Sequence, residues 1–285
     1  MANNRGIVET YDKSEEREYS KTYLFIKGFA YGKKFNQTLK ALALARVLHD
    51  GQHRNGGAPY IIHPLKVCST LISLGIRDDE MLAVSLLHDV VEDCKTYFPE
   101  GGTELISKYK FSKNVYDIVM LLTKEDNHTD EYAREYFNKI KLDVRALLIK
   151  LADRSHNSET LYVMKLERMR RYIIETRTWI YDLCKYGKMH YPEYSNELTI
   201  LKSKIASLCN ASEILVSKYE AIIEELPKDA KTLNAISCYN EYKKKTPEEE
   251  QVDFMSFASN QYKDKTIMYN LLSETAYNEY LNFVE

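Results

Sequence analysis

The stretch Leu86-Leu87-His88-Asp89-Val90-Val91-Glu92-Asp93 sets a nitrogen ligand and three acids in an otherwise apolar segment. Neither a buried core nor a solvated face calls for that grouping. A metal-centred hydrolytic site does, provided other ligands converge on it. Read as one helix, the segment puts His88 and Glu92 on one face and Asp89 and Asp93 on the adjacent one, because residues four apart are neighbours. One pair then reaches a metal while the acids of the next turn reach its water or the substrate. Further along, Asp153 and Asn157 are again four apart, at the polar end of an apolar run that starts at Leu147. His63, His88, Asp89 and Asp153 would make a mixed nitrogen and oxygen set, which suits Mn²⁺ or another borderline-to-hard divalent ion. Such an ion lowers the pKa of a water and polarises a phosphoryl oxygen. Glu92 or Asp93 would then position that water or move protons.

A lone histidine near a helix end is more often a hydrogen-bonded structural group than a ligand, and His49, His53, His128, His156 and His190 read that way. His88 differs by coincidence. It has acidic neighbours and an apolar surround, and a second apolar segment ends in Asp153-Arg154-Ser155-His156-Asn157.

The elements that must position these residues are helical. Leu39, Leu42, Ala43, Leu44 and Val47 recur at helical spacing over 36–49. After the turn-rich loop Arg54-Asn55-Gly56-Gly57-Ala58-Pro59, a second helix starts near His63-Pro64, with proline tolerated in a first turn, and runs to Gly75. Asp78-Asp79 is suited to cap the third helix, which carries His88. Further helices are expected over 103–109, 113–124 and 130–140, then through Leu147 to Asn157, and in long patterns over 164–187 and 194–226. Residues 1–20 are polar and expected to be loose at the end. After Pro227 the chain turns polar, and Phe254, Met268, Leu271, Leu272, Tyr277 and Phe283 suggest one or two more helices. The expectation is an all-α bundle over 21–226 with a helical extension over 227–285.

Composition bounds the rest. The chain has 285 residues, 44% hydrophobic and 29% charged, and only 10 Gly and 6 Pro, which favours helices over strands and turns. A net charge of −2 supplies no global basic field for nucleic acid or an anionic membrane. The start lacks an apolar signal core, and no apolar run approaches spanning length, so a cytosolic protein is expected. Five widely spaced cysteines without a Cys-x-x-Cys read as reduced, mostly buried thiols. The 23 scattered tyrosines read as surface and packing residues.

The order of four motifs resembles the HD-domain hydrolases of the RelA/SpoT family. They are Gly51-Gln52-His53-Arg54, then Pro59-Tyr60-Ile61-Ile62-His63-Pro64-Leu65, then His88-Asp89-Val90-Val91-Glu92-Asp93, then Lys150-Leu151-Ala152-Asp153-Arg154-Ser155-His156-Asn157. The resemblance spans roughly residues 36–180. It implies an all-α bundle with one Mn²⁺ held by His63, His88, Asp89 and Asp153. It implies a catalytic acidic pair at Glu92 and Asp93, and a nucleotide pocket using Arg54, Asn157 and Thr160. Lys150 and Arg154 either bring positive charge to a diphosphate or pair with acids at the core edge. The implied reaction removes the 3′-diphosphate of the guanosine alarmones ppGpp and pppGpp.

Two stretches depart from the family's long members. Where those read Lys-Ser-Gly-Glu-Pro-Tyr, this chain has Asn55-Gly56-Gly57-Ala58-Pro59-Tyr60. Where they read Met-Arg-Thr-Leu, it has Ser158-Glu159-Thr160-Leu161. Both flank the expected base site, so the adenosine alarmones ppApp and pppApp, or the 2′-phosphate of NADPH, stand as alternative substrates. Tyr136 to Ile140 and Tyr191-Pro192-Glu193-Tyr194 resemble the short stand-alone hydrolases. Residues beyond the bundle show no glycine-rich phosphate loop and no strand pattern, so no synthetase domain is recognised there. A reading of another class makes the protein an antitoxin-like partner of a toxic alarmone synthetase, gripped by the extension beyond Pro227. The expected partners are therefore a purine nucleotide with a 3′-diphosphate, and either a second copy or a cognate synthetase.

Overall fold

The centre of the fold is a helix that is apolar on every side. The computed structural model describes residues 5–54, 57–125, 129–225, 239–247 and 250–252. Its helices are α1 (Arg5–Lys33), α2 (Asn36–Leu48), α3 (Ile62–Ser73), α4 (Asp79–Leu87), α5 (Val90–Asp93), α6 (Glu104–Ser107), α7 (Lys113–Leu122), α8 (Asp130–Ile140), α9 (Val144–Ser158), α10 (Leu166–Glu175), α11 (Tyr181–His190) and α12 (Ser195–Glu225). No strand occurs among the described residues, only an isolated bridge between His53 and Pro59, so the all-α expectation holds. No described helix is long and apolar enough to cross a membrane.

Every residue of α4 from Met81 to Leu87 is buried, and α2, α3, α7 and α9 pack around it. Full burial of a leucine contributes roughly 1.5–3 kcal/mol, and Leu82, Leu86 and Leu87 are all fully buried. The two acids before them divide their work. Asp78 caps α4 through the backbone N–H of Met81. Asp79 instead accepts from the N–H groups of Gln37 and Thr38, at 3.0 and 2.7 Å, and so caps α2 from a neighbouring helix. α7, α8 and α9 carry their own caps in Ser112, Thr129 and Asp143.

Several expectations change. Residues 5–20 are helical, as part of α1. The stretch 103–109 holds a single turn, α6. The long pattern over 164–187 is interrupted by a π-helical turn over Thr176–Ile180. The third helix stops at Leu87, and His88-Asp89 form a turn before α5. Cys68, Cys94, Cys184 and Cys209 are free and buried. Cys238, His128, Pro227 and the apolar positions from Phe254 to Phe283 lie outside the described residues.

The chain divides into two compact units. The larger comprises residues 1–164 and 172–209, and its α9 and α11 approach closely at Gly187. A Cβ at Gly187 would lie 2.9 Å from Leu198 Cδ1 and 3.3 Å from Leu147 Cδ2. The smaller comprises 165–171 and 210–285. Within it Arg170 pairs with Glu220, and the Tyr239 hydroxyl donates to the Val252 carbonyl at 2.8 Å. The division falls inside α12, upstream of Pro227.

Candidate metal centre

Four side chains meet in the larger unit at the ends of three elements. His63 arrives in the first turn of α3, His88 and Asp89 at the break after α4, and Asp153 in the second half of α9. His63 Nε2 lies 3.2 Å from His88 Nε2, 3.3 Å from Asp89 Oδ2 and 3.2 Å from Asp153 Oδ1. His88 Nε2 lies 3.1 Å from Asp89 Oδ2 and 3.8 Å from Asp153 Oδ1. His63, His88 and Asp153 are buried, and their ligand atoms form a group able to hold a metal ion.

The break after α4 has a chemical consequence. Neighbours in a continuous helix point to different faces. With the helix stopped and Asp89 at φ −103°, ψ −7°, the rings and carboxylates of His88 and Asp89 reach the same point. The expected face pairing of His88 with Glu92 and Asp89 with Asp93 assumed one continuous helix, and the stop at Leu87 removes that premise.

The donor set fits a divalent cation. His88 Nδ1 lies 2.9 Å from the Ser85 carbonyl, an acceptor only, so Nδ1 carries the hydrogen and Nε2 offers its lone pair to the group. His63 Nδ1 lies 2.8 Å from His156 Nδ1, leaving its Nε2 to the group likewise. Two ring nitrogens facing each other at 3.2 Å match neighbouring ligands on one ion, which at metal–ligand distances of about 2.1 Å stand roughly 3.0–3.4 Å apart. Without an ion a proton takes that place. Burial disfavours the His88 imidazolium, but Asp89 and Asp153 outweigh it and push its pKa up to about 10. Burial likewise opposes ionisation of Asp89 and Asp153, yet His88 and His63 hold Asp89 well below the usual carboxylate range. Lys150 with the same histidines does so for Asp153.

A ring of partners orients the group. The Tyr60 hydroxyl donates to Asp89 Oδ2 at 2.8 Å, and His49 stacks on the Tyr60 ring with centroids 4.8 Å apart. Lys150 Nζ donates to Asp153 Oδ2 at 2.9 Å. Asn157 donates to Asp153 Oδ1 and accepts from Arg54. Arg54 comes from a tight loop closed by its own N–H to the Ala58 carbonyl at 2.9 Å, with Gly57 at φ +85°. Arg54 also donates to His156 Nδ1 at 3.2 Å. His156, half-buried between His63 and Arg54, is pushed down to about 2 by desolvation first and by those two neighbours next. Thr160 sits at the end of α9 with Oγ1 3.4 Å from the Asn157 carbonyl.

Glu92 and Asp93 lie beyond the break. Glu92 Oε2 accepts from the backbone N–H of Lys124 at 3.1 Å. Burial raises the pKa of both acids, and the Asp89 charge adds to it. Lys150 and Arg154 both pair with acids, but in different places. Arg154 donates to Thr176 at 3.2 Å and to Glu175, and lies 4.2 Å from the Tyr172 ring centroid. Its hydrogen bonds are not to the metal group. His49 is buried with Gln52 at 2.8 Å, and the His53 ring bonds the Gly51 carbonyl at 3.2 Å.

Lys124 is a residue that spacing did not reveal. Its ammonium lies 3.7 Å from Glu175 and 5.3 Å from the Tyr136 ring centroid. Burial, then Lys150, lowers its pKa. A single lysine after the apolar pattern of α7 carries no periodic signal, and only the fold sets it beside Glu92.

A helical domain with paired histidines and aspartates at such a centre defines a class, and the HD domain profile matches residues 41–181. Over 141 residues the chain is 40% identical to a guanosine-3′,5′-bis(diphosphate) 3′-pyrophosphohydrolase of Haemophilus influenzae, covering 47% of this chain and 20% of that one. A protein of the same description from Vibrio cholerae is 31% identical over 233 residues, 72% of this chain and 32% of that one. The bifunctional (p)ppGpp synthase/hydrolase SpoT of Escherichia coli is 36% identical over 145 residues, 48% of this chain and 20% of that one. The chain thus spans between 20% and 32% of the length of these relatives.

Proposed function

We propose that this protein hydrolyses the 3′-diphosphate of the guanosine alarmones ppGpp and pppGpp, releasing pyrophosphate and GDP or GTP, with Mn²⁺ as its ion. The observation that carries the reading is the convergence of His63, His88, Asp89 and Asp153, with Glu92 one turn away. The names of the relatives supply the substrate class. His63, His88, Asp89 and Asp153 would hold the ion. When bound, it supplies Lewis acidity toward a phosphoryl oxygen and lowers the pKa of a water.

The chain's own groups do the rest. Water adds to the phosphorus carried by the ribose 3′ oxygen, the bond from that phosphorus to the 3′ oxygen breaks, and the 3′ oxygen takes up a proton. Glu92 and Asp93, whose pKa values burial raises above their ordinary values, would accept and return protons. Lys124 and Lys150 bring positive charge to the side where pyrophosphate charge develops. Arg54, fixed by Asn157 and His156, presents a planar cation suited to stacking on a purine. Asn157 and Thr160 line the same end of α9.

The test is pyrophosphate release from ppGpp by purified protein with Mn²⁺, with ppApp and NADPH as comparators. Asp89→Ala is expected to reduce turnover to background. Full activity of that variant, or of chelator-treated protein, would overturn the reading.

A further inference from the structure

A second concentration of charge lies away from the metal centre, in the larger unit. A cleft of about 600 Å³ is lined by Arg177, Lys185, Lys188, Lys202, Tyr181 and Asp182. Four cations therefore share one concavity in a chain whose net charge is −2. Asp182, the acid among those six, is already paired with Lys141. Among the described residues, Lys185, Lys188 and Lys202 are in no ion pair. Lys202 Nζ lies 5.4 Å from the Tyr181 ring centroid. The three lysines repel one another, and an oligophosphate relieves that repulsion while taking several charge-assisted hydrogen bonds.

The size and lining narrow the ligand. A few hundred cubic ångströms is the volume of a small-molecule site. Tyr181 offers an aromatic wall, and Cys184 and Met189 add apolar surface. A nucleic-acid backbone would call for a basic domain, which a net charge of −2 does not supply.

The same end of the cleft is built by the π-helical turn Thr176–Ile180. Such turns occur mostly singly and often at functional sites. Arg177 and Thr178 of this turn line the cleft, while Thr176 accepts the Arg154 hydrogen bond at 3.2 Å.

We infer that the cleft at Arg177, Tyr181, Lys188 and Lys202 binds a nucleoside polyphosphate, with the phosphates on the lysines and the base against Tyr181. This site is separate from the metal centre and does not depend on the reaction proposed for it. The experiment is calorimetric titration of the full chain with GTP, ATP and inorganic tripolyphosphate. GTP or ATP is expected to bind, with tripolyphosphate weaker because it lacks a base. Lys188→Glu with Lys202→Glu should weaken nucleotide binding at least tenfold, and Lys188→Arg should preserve it. A melting curve checks that the double variant folds, and Lys202→Gln serves if it does not. Binding that survives the charge reversal overturns the inference. So does no nucleotide binding at all, tripolyphosphate binding as tightly as nucleotides, or tighter binding of a single-stranded RNA.

Discussion

Two helices deliver ligands to the centre in opposite ways. α9 runs unbroken through the site, so Lys150, Asp153 and Asn157 follow from helical spacing, and the three bond one another through Asp153. α4 stops at Leu87, and His88 meets Asp89 only because the helix is interrupted. A continuous helix builds a network along one face. A broken one brings sequence neighbours to a single point, which is what two ligands of one ion require.

The two acids should therefore fail differently. Asp153→Ala leaves the Lys150 ammonium, 12% exposed, without its carboxylate. Breaking such a buried pair costs about 3–5 kcal/mol, and a large fall in Tm is expected beside the loss of activity. Asp89 is 23% exposed and bonds Tyr60. Its removal should cost about 1.5–3 kcal/mol in the metal-free protein while still abolishing hydrolysis. Equal melting temperatures for the two variants would erase the distinction.

Tyr60→Phe sharpens the comparison on the α4 side. Loss of a hydrogen bond to a ligating carboxylate typically weakens metal affinity about 10–100-fold, and calorimetry with Mn²⁺ should show that fall with little change in Tm. An unchanged affinity would mean that the break alone orients Asp89.

The pH response belongs to the broken side too. His88 has a folded pKa of about 10 in the metal-free protein, raised above the histidine reference of 6.5. Its contribution to stability is fully present below pH 6.5 and is lost as pH rises toward 10. Metal-free Tm should fall over that window. Saturating Mn²⁺ should flatten the fall, because a ligating ring is neutral, and metal uptake near pH 7 should release a proton. Melting curves across pH with and without metal test both halves.

The smallest effect lies at the start of α9. Asp143 caps it through the N–H groups of Arg145 and Ala146. Asp143→Ala should cost about 1 kcal/mol in a denaturant titration and leave metal affinity intact, since the cap is remote from Asp153.

The same contrast marks what the amino-acid sequence made legible. Apolar spacing located α2, α3, α8, α9 and α12, because each buries one face or a full surface. It missed the stop in α4 because that helix is apolar all round and offers no period to lose. It missed the π-helical turn because the apolar pattern continues through it. Residue type and motif order picked out His63, His88, Asp89 and Asp153, and the fold brings them together. Lys124 and Tyr60 escaped because their contacts to Glu92 and Asp89 span 32 and 29 residues and repeat nothing. Arg154 was grouped with Lys150 by charge and spacing, but its partners Glu175 and Thr176 come from the later segment at the end of α10.

Histidine is ordinarily the side chain that reports acidity near neutrality, yet His156 is held neutral down to about pH 2. It is thus a fixed reference rather than a sensor. The acceptor that sets the tilt of His63 and the reach of Arg54 is the same at pH 5 as at pH 8. The links from Arg54 and His63 to His156 therefore end on an acceptor that stays neutral across that range.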